Sequence, residues 1–203
     1  MVDDKSSRTY RLGRRVDAMT ETRQRITEAT VQLHGTVGPA RTTISSIAEL
    51  AGVQRQTVYR HFPAEEELFA ACSAHYWERH PWPDPASWRS GDSVRARITE
   101  ALARFYAFYA DVEPMLTNVL RDAPVVPYIE KVGLASYAEF LDGIARDLVA
   151  TCAPPRDNRK AVAAAVRHAL AFSTWQSLVR ENRLSRRAAV ELMSAMIEAA
   201  RVR

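Results

Sequence analysis

Eight residues between a glycine and a proline, Gln54 to His61 (QRQTVYRH), carry two amides, two guanidinium groups, two hydroxyls and an imidazole around one aliphatic side chain, Val58. Glutamine can bond adenine at N6 and N7, arginine can bond guanine at O6 and N7, and hydroxyls reach phosphate oxygens. That inventory suits the reading of a nucleic-acid surface. It does not suit bond-breaking chemistry. The chain holds no H-E-x-x-H, C-x-x-C or G-x-S-x-G motif, and His75 and His80 are five apart, so they do not share a helix face. Neither a metal nor another cofactor is expected, and the chain does not read as an enzyme.

The elements that must position these side chains are short. Ile44, Ile47, Ala48 and Ala51 share one helical face behind Thr43, a hydroxyl residue suited to cap a helix start. Gly52 suits the reversal that follows, because glycine takes positive φ without strain. A second helix over 54–61 ends before Pro63. Helices of about seven residues are barely stable alone, so packing must hold them. Ile44, Ile47, Val53, Val58 and Phe62 are the residues available for it. Two short helices with a tight turn, the second bearing polar groups, describe a helix-turn-helix whose second helix enters a major groove.

At this point a resemblance becomes specific. IAELAGVQRQTVYRHFPAEEEL resembles the DNA-binding signature of the tetracycline-repressor (TetR) family: I-A-x-x-A-G-V, a polar triplet, T-[LV]-Y-x-x-F, then an acidic helix start. The likeness covers about residues 20–70. It implies base contacts for the triplet and phosphate contacts for Thr57 and Tyr59, and the DNA-binding set is Thr43, Gln54, Arg55, Gln56, Thr57, Tyr59, Arg60 and His61. It also implies a homodimer whose C-terminal helices bind a small effector. The chain departs from the family pattern at His34 and Pro39, where large aromatics are usual, at Ala64, where a serine cap is common, and at Glu65, which would repel phosphate.

Charge agrees with this placement. Residues 1–62 hold ten basic side chains against six acidic ones, and the remainder holds eighteen of each, so the whole net charge of +4 lies in the first third. Residues 1–17 mix charges, Ser and Gly without periodicity and read as a mobile basic arm, with Arg8, Arg11, Arg14 and Arg15 able to enter a minor groove. Domains are expected at 18–66, the helix-turn-helix, and 67–203, a helical ligand-binding and dimerisation domain. Helical periodicity over 93–111, 114–122, 127–151, 158–181 and 185–202, with a loop over 80–92, gives an all-α fold of about nine helices.

Of the 17 aromatic residues, only Tyr10, Tyr59 and Phe62 precede residue 63, so an apolar or aromatic effector is expected in the second domain. The candidate lining is Tyr76, Trp77, Tyr106, Tyr109, Tyr137, His168, Phe172 and Trp175. Of these, His168, Phe172 and Trp175 are spaced to share a stripe, and His168 and Arg104 are the nearest cations for an acidic ligand group. The small and apolar positions Ala165, Ala169, Leu192, Met193 and Met196 offer a dimer face wider than one internal contact needs. Cys72 and Cys152 read as small buried thiols. No apolar run spans a bilayer and the charged start lacks a signal h-region, so a cytoplasmic protein without membrane contact is expected. A DNA-binding dimer without an effector is the alternative.

Overall fold

The structure, a computed structural model, describes the backbone of residues 4–202 and the side chains of residues 16–202. Ten α-helices are present among the described residues, and no strand. The side chains of Arg8, Arg11, Arg14 and Arg15 lie outside the described residues. The helix α1 runs Asp4–Thr36, so its first turns take in the stretch that composition assigns to an arm.

One compact unit comprises Met1–Arg79 and Pro114–Gly133. It contains α1, α2 (Ile44–Leu50), α3 (Arg55–His61) and α4 (Glu65–Arg79). α1 packs on both α2 and α4. Ile26, Ala29, Ile47, Ala48, Ala51, Val58, Phe62 and Leu68 form one buried cluster, with Leu33, Ile44, Val53 and Ala71 at its edge. This cluster holds the two short helices, which their own hydrogen bonds could not keep in place.

The other unit comprises His80–Glu113 and Leu134–Arg203. It contains α5 (Ala86–Arg89), most of α6 (Val94–Asp122), α7 (Ala135–Cys152), α8 (Arg159–Leu170), α9 (Phe172–Trp175) and α10 (Arg186–Val202). α8 packs against both α7 and α10.

Three elements differ from the periodicity reading. The expected loop over 80–92 contains the single turn α5, because Trp88 is 1% exposed and its burial fixes the turn around it. The expected break between 111 and 114 is absent: α6 continues through Pro114, which forgoes one backbone hydrogen bond without ending the helix. The expected helix over 158–181 is broken at Ala171, whose ψ of 133° is extended, and continues as α9 and a π-helical turn over Gln176–Glu181. A π-helical segment, Ile129–Leu134, also precedes α7.

Candidate nucleic-acid interface

The turn between α2 and α3 follows from backbone accounting at two ends. At the start of α2, the Thr43 hydroxyl accepts from the Ser46 backbone N–H at 3.1 Å, and the Ser46 hydroxyl accepts from the Thr43 N–H at 3.1 Å. Two otherwise unpaired donors are satisfied reciprocally. At its end, Gly52 takes φ +64°, and the N–H groups of Gly52 and Val53 donate to the carbonyls of Glu49 (3.1 Å) and Ala48 (2.9 Å). This is the Schellman pattern, and it reverses the chain into α3.

On α3 the one aliphatic residue, Val58, is fully buried and Phe62 closes the helix at 2% exposure. Gln56 and Arg60, one turn apart, stand opposite them and are exposed, as are Tyr59 at the side and Gln54 and Arg55 at the start of the helix, while Thr57 and His61 are half-buried. Among the described residues no hydrogen bond or ion pair engages the side chains of Gln54, Arg55, Gln56, Tyr59 or Arg60. The His61 imidazole is held below its ordinary pKa by partial burial, then by the cationic Arg60 and Arg23. At neutral pH it therefore offers a hydrogen bond more than a charge. Thr43 is exposed, but its hydroxyl is committed to the cap.

Two sets of residues that the sequence reading does not single out hold this geometry. Arg23 of α1 donates to the His61 carbonyl at 2.5 Å while its guanidinium lies 3.9 Å from the Phe62 ring centre, and Arg25 donates to the Ala51 carbonyl at 3.3 Å. Each satisfies a carbonyl at the C-terminal end of a short helix. The second set closes over the loop before α2. Asn118 donates to the carbonyls of His34 and Gly35, both at 3.0 Å, and Arg121 donates to the Val37 carbonyl at 3.0 Å. The Asp122 carboxylate accepts from the Ala40 N–H at 3.0 Å and from Arg121 Nε at 2.7 Å. Arg121 and, secondarily, the Ala40 N–H hold Asp122 below its ordinary pKa against a desolvation cost. Gly38, at φ +92°, passes so close that a Cβ would collide with Arg121 Nη2 and Asp122 Oδ2.

The departures from the family pattern fall beside this clamp. His34 is 5% exposed, its ring centre lies 5.5 Å from that of Phe69, and its Nδ1 is 3.4 Å from the Cys72 sulfur. The imidazole thus occupies core space as a flat ring. Burial lowers its pKa to about 4, opposed by Asp122, and burial pushes the Cys72 thiol up to about 12. Pro39 is buried at the first position of a 3-10 turn, Pro39–Arg41. Both cysteines are free and buried.

The residues proposed for an effector divide. Tyr76 and Trp77 meet edge-on on α4, in the first unit, with ring centres 5.1 Å apart. In the second unit Tyr106, Tyr109, Tyr137, Phe172 and Trp175 come together: Tyr109 lies 5.3 Å from Phe172 and 6.1 Å from Trp175, and Phe172 stacks on Trp175 at 5.4 Å and 22°. His168 is exposed and does not join them. The break at Ala171 interrupts the spacing that would have aligned it with Phe172 and Trp175, and its Nδ1 instead lies 3.3 Å from the Thr174 hydroxyl. Arg104 is also exposed and pairs with Glu100 at 2.6 Å. A cleft in this unit, of about 430 Å³, lies instead along His80, Pro83, Arg104, Phe108 and Asp111.

Of the dimer candidates, Ala165, Ala169 and Met193 are buried within the chain, where α8 packs on α7 and α10. Leu192 is 48% exposed and Met196 half-buried. Ala188, Ala195, Ala199 and Val202 are exposed at helical spacing with Leu192, so the free apolar stripe of α10 lies beside the one proposed. No described helix is long and apolar enough to cross a membrane, and no described His, Cys, Asp and Glu group could hold a metal ion.

Residues 26–72 match the model of the bacterial regulatory proteins of the tetR family. The chain is 45% identical over 60 residues to the HTH-type transcriptional regulator TtgR of Pseudomonas putida, a stretch covering 30% of this chain and 29% of that protein. A probable HTH-type transcriptional regulator of Pseudomonas putida, ArpR, matches to the same extent. The chain therefore matches less than a third of the length of these curated relatives. The fold extends further. A TetR-like transcriptional regulator from Rhodococcus sp. RHA1 superposes with a TM-score of 0.61 at 20% identity, over 87% of this chain and 93% of that one. The multidrug binding protein EbrR, complexed with imidazole, gives 0.57 at 19% over 86% and 93%.

Proposed function

We propose that this chain, whose residues 26–72 match the tetR family of bacterial regulatory proteins, is a ligand-responsive repressor of that family, binding a palindromic operator as a homodimer and released by a small, largely apolar or aromatic effector. The observation that carries this reading is the outward face of α3. Gln54, Arg55, Gln56, Tyr59 and Arg60 project from a helix whose other face is fully used in packing. Two such helices, one from each protomer, would enter successive major grooves, with Thr57 and Tyr59 against phosphates and Thr43 holding the start of α2. The protein acts in the cytoplasm as a DNA-binding regulator, with no catalytic role.

The dimer is proposed through α8 and α10. The exposed stripe of Ala188, Leu192, Ala195, Ala199 and Val202 supports it, because a helix that buries one face internally gains nothing from a second apolar face unless a partner covers it. Leu192→Glu should shift the protein towards monomer in sedimentation while leaving it folded. Ala169→Glu should instead unfold it, since Ala169 is wholly buried within the chain.

Release is a population shift. Moving operator occupancy from 99:1 to 1:99 requires an effector that prefers the non-binding form by roughly 10⁴-fold. Footprinting with purified protein over a salt series tests the reading: a discrete palindromic site, with affinity falling linearly in log salt, is expected. Binding that ignores both sequence and salt would overturn it. The second reading, a DNA-binding dimer without effector, draws support from the close packing of the aromatic cluster around Tyr109, which is 0% exposed.

A further inference from the structure

Arg23 is one of the cations of the basic first third, and it stands on α1 three residues before Ile26, the first buried residue described there. Charge alone would count it among the phosphate contacts. Its surroundings point elsewhere. Its Nη1 donates to the carbonyl of His61, the last residue of α3, at 2.5 Å. The same guanidinium lies 3.9 Å from the ring centre of Phe62, which closes α3 and is 2% exposed in the core of the reading unit.

Both contacts act on one end of one helix. An α-helix leaves its last carbonyls without intrahelical donors, and a cation there meets the negative end of the helix dipole. α3 has seven residues, so one fixed carbonyl is a large share of what holds it. A flat guanidinium can donate at its edge while its face covers an aromatic ring, which a lysine ammonium cannot do. Among the described residues no carboxylate pairs with Arg23, so nothing draws it away from α3.

Arg25 makes the corresponding contact with the other short helix. It donates to the carbonyl of Ala51, which closes α2, at 3.3 Å, and its Nη1 would stand 3.8 Å from a Cβ placed on Gly52. Positions 23 and 25 are about 160° apart around a helix, so the two side chains leave α1 on either flank of its buried residues Ile26 and Ala29. One reaches the end of α2 and the other the end of α3.

The end of α3 matters because its start is already held. The first residues of a reading helix meet the base edges. Here these are Gln54, Arg55 and Gln56, beside the Gly52 turn, and His61 lies about 10 Å further along the helix axis. With its start fixed by the turn, α3 can still swing at its other end, and a swing re-aims every side chain on the outer face.

We propose that Arg23 is a positioning residue for base reading, fixing the C-terminal end of α3 through the His61 carbonyl and the Phe62 ring, and that it makes no phosphate contact of its own. This rests on the reading of α3 as the DNA-reading helix and adds what sets its angle.

The test compares Arg23→Met and Arg23→Lys with the wild type, each as the full-length protein. Each is titrated with the operator found by footprinting and with random duplex DNA over a salt series, at a temperature where circular dichroism shows it folded. If loss of the anchor leaves α3 in its reading position about a tenth of the time, the operator Kd rises about 10-fold, while random DNA, bound through phosphates, is held nearly as before. Arg23→Met should therefore lose about 10-fold in the ratio of the two affinities, with an unaltered slope of log affinity against log salt. Arg23→Lys should recover only part of that ratio although it keeps the charge. Amide exchange of Phe62, whose N–H donates to the Val58 carbonyl at 2.9 Å, should quicken in Arg23→Met. A slope lower by about 1 on both DNAs with the ratio kept would make Arg23 a phosphate contact and overturn the proposal. A lowered melting temperature with the ratio kept, the mark of a structural role alone, overturns it too, as does full recovery by lysine. Should Arg23→Met not fold, Arg23→Lys decides, and a ratio equal to that of the wild type overturns the proposal. A wild type with no preferred site removes the DNA-reading premise together with the proposal, whereas a site that both variants read as well as the wild type removes the role of Arg23 alone.

Discussion

The α2–α3 region and the aromatic cluster dispose of their polar groups in opposite ways. Around α3 the backbone is satisfied from behind, by Arg23, Arg25 and the Thr43–Ser46 cap, so that Gln54, Arg55, Gln56, Tyr59 and Arg60 are left free on the outer face. In the cluster Tyr106, Tyr109 and Tyr137 turn their hydroxyls inward, the first two onto the carbonyls of a broken helix, while the indole Nε1 groups of Trp88 and Trp175 have no partner among the described residues. A surface of free donors and acceptors held on a rigid frame suits a large, hydrated partner such as DNA. A closed aromatic core whose hydroxyls are spent on its own backbone suits the packing of the chain against itself. Changes that separate frame from face test this contrast.

The largest effect should come from acid. His34 is buried in the frame with a pKa depressed from 6.5 to about 4, so the unfolded chain binds the extra proton and the folded one does not. Stability from this group is therefore complete above pH 6.5 and is lost as pH falls towards 4, by roughly 3 kcal/mol across that window. Urea unfolding followed by amide exchange should show α1–α4 opening in this range. His34→Phe, which keeps a flat ring beside Phe69, should flatten the pH dependence. An unchanged slope in the variant would assign the loss to other groups.

The next effect tests the clamp. Gly38→Ala forces a Cβ into a conformation at φ +92° that costs about 1–3 kcal/mol by itself, and the collision with Arg121 and Asp122 adds to it. Hydrogen exchange should rise over residues 36–50. Operator affinity should fall further than affinity for random DNA, because the frame is disturbed and the α3 side chains are intact. Equal losses would mean that the loop does not set the angle of α2.

These two positions also mark where sequence reading ends. The cap at Thr43, the turn at Gly52 and the burial of Val58 were legible because each depends on neighbours a few residues away, and the structure has all three. The clamp was not legible, since Asp122 and Ala40 are 82 residues apart and neither belongs to a motif. Pro114 reads as a helix boundary because proline removes a donor, yet α6 runs through it. Ala171 reads as mid-helix because alanine is the strongest helix former, yet the helix breaks there. Burial of Trp88 and the tyrosine bonds to residues 169 and 170 are tertiary effects that override local preference.

A third effect, on the face alone, is Arg55→Ala. The residue is exposed and makes no contact that the frame uses, so stability should be unchanged. If Arg55 reads a guanine, discrimination at one operator position should fall by about 1–3 kcal/mol, measured as the ratio of affinities for the site and its single-base variants. Equal weakening at all positions would reassign Arg55 to the phosphate backbone.

The smallest effect should be that of Tyr59→Phe. Tyr59 is 48% exposed, and no described partner engages its hydroxyl. Removing that hydroxyl leaves the packing of the ring intact and the helix equally stable. What is lost is one neutral hydrogen bond to a phosphate oxygen, about 0.5–1.5 kcal/mol, and the loss should be the same for operator and random DNA because phosphates carry no base identity. The salt dependence should not change, since the phenol releases no counterion, whereas Arg60→Ala should lower the slope of log affinity against log salt by about 1. Titrations at several salt concentrations separate the two. A Tyr59→Phe variant that binds every DNA as tightly as the wild type would take Tyr59 out of the interface, and one that loses operator affinity alone would move its hydroxyl from the phosphates to a base edge.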